Sequence, residues 1–181
     1  MEGILVWWIG ERQPDVRLLD HVRLHLERSL RMPASVWRGD SKPRDAYDAR
    51  RKQWSSSRIL AWLARETPEE ARVLGVTDVD LFIPILTFVF GEAQLGGRAA
   101  VVSTARLGEP GLQDDRIVLA RLAKESVHEV GHLLGLRHCD TRGCIMERSA
   151  GIFDVDRKGD ELCRSCRDRV VRVESAERGT R

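Results

Sequence analysis

The most constraining stretch of this 181-residue chain is His128-Glu129-Val130-Gly131-His132-Leu133-Leu134-Gly135-Leu136-Arg137-His138. Ile117, Leu119, Ala120, Leu122, Ala123, Val127, Val130, Leu133 and Leu134 recur at helical spacing, so the stretch belongs to a long, mostly buried helix from about residue 113 to Gly135. Side chains four apart share a helix face, so His128 and His132 can bind one Zn²⁺. Gly135 can adopt the left-handed conformation that ends the helix and returns His138 as a third ligand. Three imidazoles leave a fourth position open, which separates a catalytic zinc from a structural one. A water held there has its pKa lowered from about 16 towards ~7. Glu129 is then the base that takes the proton as the water attacks a carbonyl and passes it to the leaving amine. The competing reading is a buried helix whose histidines only pack. A bare H-E-x-x-H leaves the two even, and Gly135 with His138 decides for the metal.

Cys139-x4-Cys144 and Cys163-x2-Cys166 form a second constellation. Four thiolates in two close pairs suit a tetrahedral zinc with no open position, a folding element and not a catalyst. Two disulfides or an isolated redox Cys-x-x-Cys are the alternatives. Residues 4–9 are apolar, but Glu2 stands where an export signal has a basic region, and Glu11 and Arg12 follow without a small-residue cleavage site. Residues 3–9 are therefore read as a first strand, the cysteines are expected in a reducing compartment, and the cytoplasm is the default location. Because Cys139 follows His138 directly, loss of the structural ion would misplace a catalytic ligand.

Thirty Lys+Arg against 28 Asp+Glu give a net charge of +2, and the chain is 42% hydrophobic, a globular balance. The longest apolar stretch, residues 81–90, contains Pro84 and falls short of the ~20 residues a membrane span requires. Pro14 opens a helix through Leu18, Leu19, Val22, Leu26 and Leu30 that Pro33 closes. Residues 37–46 read as a loop, and 55–65 as a helix capped by one of three serines with Ile59, Leu60, Trp62 and Leu63 inward. Strands follow at 71–76 and, interrupted by Pro84, at 82–90. Residues 91–93 and 99–103 form a hairpin around Gly96-Gly97. A short helix is expected after Cys163 and a frayed tail over 174–181. Interleaved helices and strands point to an α+β fold with an α/β-like upper part and a mixed, twisted sheet. The chain is read as one domain, with residues 1–135 as an upper subdomain ending in the active-site helix. Residues 136–181 form a small Cys-rich, zinc-stabilised lower subdomain, and a monomer is expected.

HEVGHLLGLRHC, then Cys144-Ile145-Met146, then Cys163-x2-Cys166, resembles the archaemetzincins, a family of metzincin-type zinc peptidases. The likeness extends to Gly75-Val76-Thr77-Asp78-Val79-Asp80-Leu81 and Phe88-Val89-Phe90-Gly91-Glu92-Ala93, and more loosely to residues 53–60. Sixteen residues separate Met146 from Cys163, one fewer than the family pattern, a loop change of little consequence. The resemblance implies a metzincin-like fold, a catalytic zinc on His128, His132 and His138, and Glu129 as general base. It also implies Met146 in a Met-turn beneath the metal and a structural zinc on Cys139, Cys144, Cys163 and Cys166. On its own Met146 would be a core filler. Phe90, Gly91, Glu92 and Ala93 match the metzincin edge strand that pairs with an extended peptide, with pairing inside the sheet as a nearly equal alternative.

The leading expectation is a zinc-dependent peptidase with two zincs per chain, acting on peptides or proteins. A catalytically weak or inactive zinc-stabilised peptide-binding module is the alternative, and Glu129 argues against it. A nucleic-acid-binding zinc ribbon is disfavoured by the small net charge and the absence of a basic stripe near the cysteines. The only tyrosine is Tyr47, so no phenol follows the Met-turn. His21 and His25 lack a third ligand and are placed on a solvent face, and Asp78 and Asp80 are read as turn formers. The basic run at residues 50–52 is read as a solvated helix face.

Overall fold

The computed structural model describes residues 3–13, 16–108 and 115–179, with 16 and 172–179 described for the backbone only. Strand β1 (Ile4–Trp8) leads through helix α1 (Val16–Leu30) to β2 (Ala34–Trp37), a 3-10 turn at Arg44–Ala46, β3 (Tyr47–Asp48) and β4 (Gln53–Ser55). Helix α2 (Ser56–Glu66) and strands β5 (Arg72–Thr77), β6 (Leu81–Phe82), β7 (Gly91–Ala93) and β8 (Ala99–Ser103) follow. Helices α3 (Asp115–Leu133), α4 (Ile152–Arg157) and α5 (Arg164–Gly179) complete the described chain. The helix openings expected at Pro14 and near residue 113 lie outside the described residues.

Five strands form a mixed sheet in the order β2-β1-β5-β8-β7, parallel except for β7, which runs antiparallel to β8 at the edge. Parallel strands covered on both faces must be apolar throughout, and Val73, Leu74, Val76 and residues 99–102 are fully buried. Period-two alternation sorts β1: Ile4, Val6 and Trp8 join the core under α1 and α3, while Trp7 and Ile9 join the core under α2. Helix α2 reaches β5 because residue 75 is glycine; a Cβ there would lie 2.9 Å from Leu63 Cδ1. Its N-cap is Ser55, which accepts from the Arg58 N–H, and Ile59, Leu60, Trp62 and Leu63 are buried as the spacing predicts. Strands β3, β4 and β6 form a second small sheet.

Several expectations are corrected. Only Phe82 of the 82–90 run lies in a strand, β6, and Val89 makes an isolated bridge to Leu81, because Pro84 cannot donate to a ladder. The rest is a loop pinned by Arg51, which donates to the Leu86 carbonyl at 2.8 Å, and by Gln53, which donates to the Thr87 carbonyl at 2.9 Å. Residues 50–52 are not on a helix but in the tight turn between β3 and β4, where Lys52 has φ +55°. β2, β3, β4 and α4 carry too few residues for periodicity to announce them. Helix α5 continues to Gly179, through the residues expected to fray. His21 and His25 are half-buried, not on a solvent face.

The last turn of α4 is fastened to α3. Arg121 grips both Asp156 oxygens at 2.8 and 2.7 Å, and Lys124 Nζ donates to the carbonyls of Val155, Asp156 and Lys158. Terminal carbonyls of a helix lack intrahelical donors, so this ammonium supplies what the helix cannot. No helix among the described residues is long and apolar enough to cross a membrane.

Candidate active site

Helix α3 ends as its sequence requires. Gly135 takes φ +79°, its N–H donates to the His132 carbonyl at 2.9 Å, and the Leu136 N–H donates to the Gly131 carbonyl at 2.9 Å. This paired closure turns the chain back on the helix and brings His138 beside His128 and His132. The ring centroids of His138 lie 5.3 Å from His128 and 5.0 Å from His132, and one nitrogen from each ring falls within 4.8 Å of the others.

Backbone carbonyls set the rings. His128 Nδ1 stands 2.9 Å from the Ile145 carbonyl and His132 Nδ1 2.7 Å from the Leu136 carbonyl, so both Nδ1 atoms carry the proton and both Nε2 atoms are lone-pair donors. Those two Nε2 atoms face each other at 3.1 Å. Burial pushes all three histidine pKa values down, reinforced at His128 and His132 by the Lys158 ammonium and at His138 by His132 and Arg148. Neutral imidazoles cannot satisfy one another's lone pairs, whereas a tetrahedral zinc with bonds of 2.0–2.1 Å separates its nitrogen ligands by about 3.3 Å. The donor set therefore fits a zinc ion with an open coordination position.

Met146 lies beneath this helix, and Gly131 makes the space: a Cβ there would sit 2.5 Å from Met146 Sδ. Glu129 lies against β7, where a Cβ on Gly91 would stand 2.7 Å from its Cγ and 2.8 Å from its Oε1. Burial pushes the Glu129 pKa well up, as do the Glu125 and Glu92 carboxylates, against the opposing pull of Lys158. A cleft of about 540 Å³ gathers these groups. Phe88, Phe90, Gly91, Glu92 and Ala93 line it together with Glu125, His128, Glu129 and His132 of α3 and with His138, Arg148 and Ser149.

The four cysteines also converge. Cys139 and Cys163 Sγ atoms are 3.8 Å apart and Cys144 and Cys166 3.9 Å, far beyond a disulfide bond of about 2.05 Å. Zinc–sulfur bonds of about 2.3 Å in a tetrahedron give sulfur separations of about 3.8 Å, so this set fits a closed metal site. The Cys166 N–H at the start of α5 draws the Cys163 thiol down to about 7, while burial pushes those of Cys144 and Cys166 up.

The rings of His21 and His25 lie 4.2 Å apart, tilted by 43°, with no third ligand among the described residues. Asp78 receives the Glu11 N–H at 2.7 Å and the Arg12 guanidinium, and Asp80 pairs with Arg106 at 2.6 Å, so both tie loops together. Sequence reasoning missed Glu125, Arg148, Ser149 and Lys158. Only Glu125 left a signal, since it lies four residues before Glu129 on the same helix face.

Residues 65–172 match the model of Peptidase family M54. The chain is 44% identical over 130 residues to the archaemetzincin of Methanopyrus kandleri, covering 72% of this chain and 73% of that protein. The crystal structure of M. kandleri archaemetzincin superimposes with a TM-score of 0.86 at 36% identity, covering 96% of each chain. A zinc-dependent peptidase from Methanocorpusculum labreanum superimposes at 0.83 with 32% identity, covering 93% of this chain and all of that one. These likenesses span the helix, the cleft and the cysteine region together. The chain belongs to peptidase family M54, the archaemetzincins, and is a zinc metallopeptidase.

Proposed function

We propose that His128, His132 and His138 hold a catalytic zinc, that Glu129 is the general base, and that Cys139, Cys144, Cys163 and Cys166 hold a second, structural zinc. Residues 1–135 act as the upper wall of the cleft and 136–181 as the lower. The observation that carries this reading is the convergence of three neutral imidazole nitrogens beside a buried carboxylate within one cleft. A zinc bound to three imidazoles supplies a Lewis acid and an activated water at neutral pH.

The chain's own residues supply the rest. The Ile145 and Leu136 carbonyls fix two imidazoles with their Nε2 lone pairs inward. Glu129, whose burial raises its affinity for a proton, would accept one from the attacking water and return it to the leaving amine. Met146 acts as an apolar floor beneath the histidines. β7 is bonded only on its β8 side among the described strands, so Phe90, Gly91, Glu92 and Ala93 are free to pair with an extended peptide on the other.

Zinc per chain, measured on protein purified under reducing conditions, tests the assignment. Wild type is expected to hold two ions and to hydrolyse peptide, and His132→Ala to hold one and hydrolyse none. If both proteins hold one ion after zinc is supplied, the three-histidine site is wrong.

A further inference from the structure

Lys158 is among the largest fully buried side chains of the protein, although it is a cation. Its Nζ lies 2.5 Å from Glu125 Oε1, with side-chain exposures of 1% and 3%. Among the described residues Nζ has no other carboxylate partner and no hydrogen-bonded oxygen. The backbone of Lys158 is also held, since its carbonyl accepts from Lys124 Nζ at 2.7 Å. The ammonium thus reaches Glu125 from a fixed anchor on the lower subdomain.

Glu125 does not belong with the loop fastenings around it. It lines the same cleft as the three histidines and Glu129, one helical turn before Glu129 on α3. Its second contact, from Ser149 Oγ at 3.5 Å, is long. A buried carboxylate without a counter-ion must take up a proton or find another cation. In this cleft the other cation is the metal, for which carboxylate oxygen is a good ligand and whose fourth position has to stay open for water.

We propose that Lys158 is a positioning residue for hydrolysis, pairing with Glu125 so that this cleft carboxylate does not close the open position of the three-histidine metal. The inference rests on the catalytic reading given above. It makes an unusual demand, because removing Lys158 should strengthen metal binding while weakening hydrolysis. A residue that only fastened the lower subdomain to α3 would weaken both.

The test titrates Co²⁺ against a chelator into protein whose cysteine site is filled with zinc, with peptide hydrolysis measured on the zinc enzyme. Lys158→Met is expected to bind Co²⁺ at least about tenfold tighter at the histidine site, with shifted visible absorption bands, and to lose at least about tenfold in kcat/KM. Lys158→Arg, which keeps the charge, should stay near wild type. The double variant Glu125→Gln/Lys158→Met should return affinity, absorption bands and activity towards wild type, although it lacks the ion pair as completely as Lys158→Met does. Lys158→Met with unchanged or weaker affinity overturns the proposal, as does a double variant that keeps the defects of the single one. If Lys158→Met does not fold, Lys158→Gln keeps a neutral donor to Glu125 and should tighten Co²⁺ binding by a smaller factor; unchanged affinity there is equally fatal. If the wild type hydrolyses no peptide, the catalytic reading fails on its own, and Co²⁺ affinity still decides the role of Lys158.

Discussion

His138 and Cys139 are chain neighbours, yet they serve two clusters held together by different forces. The histidine cluster is assembled by the fold. Two of its members lie on α3, whose Val130 and Leu133 are buried in the main core, and the third is delivered by a glycine closure. The cysteine cluster stands on less regular chain: Cys139 and Cys144 lie outside the helices and strands, Cys163 precedes α5 and Cys166 lies in its first turn, although Cys144 and Cys166 are buried in the same main core. Backbone bonds from the Cys139 N–H to the Met146 carbonyl and from the Ile145 N–H to the Glu161 carbonyl join its segments, and the N–H groups of Thr141 and Cys163 reach the sulfurs of Cys139 and Cys144 at 3.4 Å each. On the assignment proposed above, the histidine site is organised before its ion arrives, whereas the cysteine site depends more on its ion.

The largest expected effect separates chemistry from assembly at the preorganised site. Glu129→Gln keeps shape and burial but removes the proposed base, so kcat/KM should fall by roughly 10²–10⁴. Zinc per chain and thermal unfolding should stay unchanged, since no ligand or core contact is lost. Loss of zinc in this variant would mean that the carboxylate helps to hold the ion. Gly91→Ala probes the same group from the strand. Its new methyl would press on the Val101 carbonyl at 2.6 Å as well as on Glu129, so one of them must move. A displaced base should cost up to about 10²-fold in activity with both metals retained, and an active Gly91→Ala enzyme would show that Glu129 tolerates a shift.

Next in size is Cys144→Ser. If the thiolate site is organised by its ion, losing one ligand should loosen the chain from residue 139 to 166. The Ile145 carbonyl that orients His128 and the Met146 floor lie in that span, so zinc affinity at the histidines should fall about 10–100-fold. His132→Ala should leave the thiolate ion in place. Equal and mutual loss of both ions in the two variants would break the comparison.

How much of this was legible in the sequence follows the same division. The α3 motif, its glycine end and the four cysteines announce themselves because ligand chemistry demands fixed residue types at fixed spacing. Strand β5 was visible as a short apolar run, and β8 with β7 as a hairpin around the Gly96-Gly97 turn signal. β2 and the strands of the small sheet were not, because two to four residues cannot display a period. The loop after β6 was mistaken for strand because its apolar residues serve the cleft and, at Phe88, the Arg106 guanidinium. Lys158 was illegible for another reason: its partner is 33 positions away, and only the fold reveals that a lysine between two helices is buried.

The smallest effect is also the most direct reading of the contrast. Zinc binds thiolates and neutral imidazoles, so uptake releases whatever protons the free ligands carry. At the histidine site burial has already lowered all three pKa values, so near pH 7.5 the imidazoles are neutral and almost no proton should be released. At the cysteine site Cys163, near 7, is largely ionised, but Cys144 and Cys166 are held as thiols by burial and must each give up a proton. Calorimetric zinc titrations in buffers of different ionisation enthalpy should therefore show at least two protons released per ion at the thiolates and close to none at the imidazoles. Lowering the pH below the ordinary histidine value of 6.5 works the other way. Protonation then favours the unfolded or open chain over the metal-free histidine site, so that site should lose its stability as pH falls, while thiolate binding weakens with a steeper pH slope. Equal proton release at the two sites would mean that the histidine cluster, too, is assembled only when its ion binds.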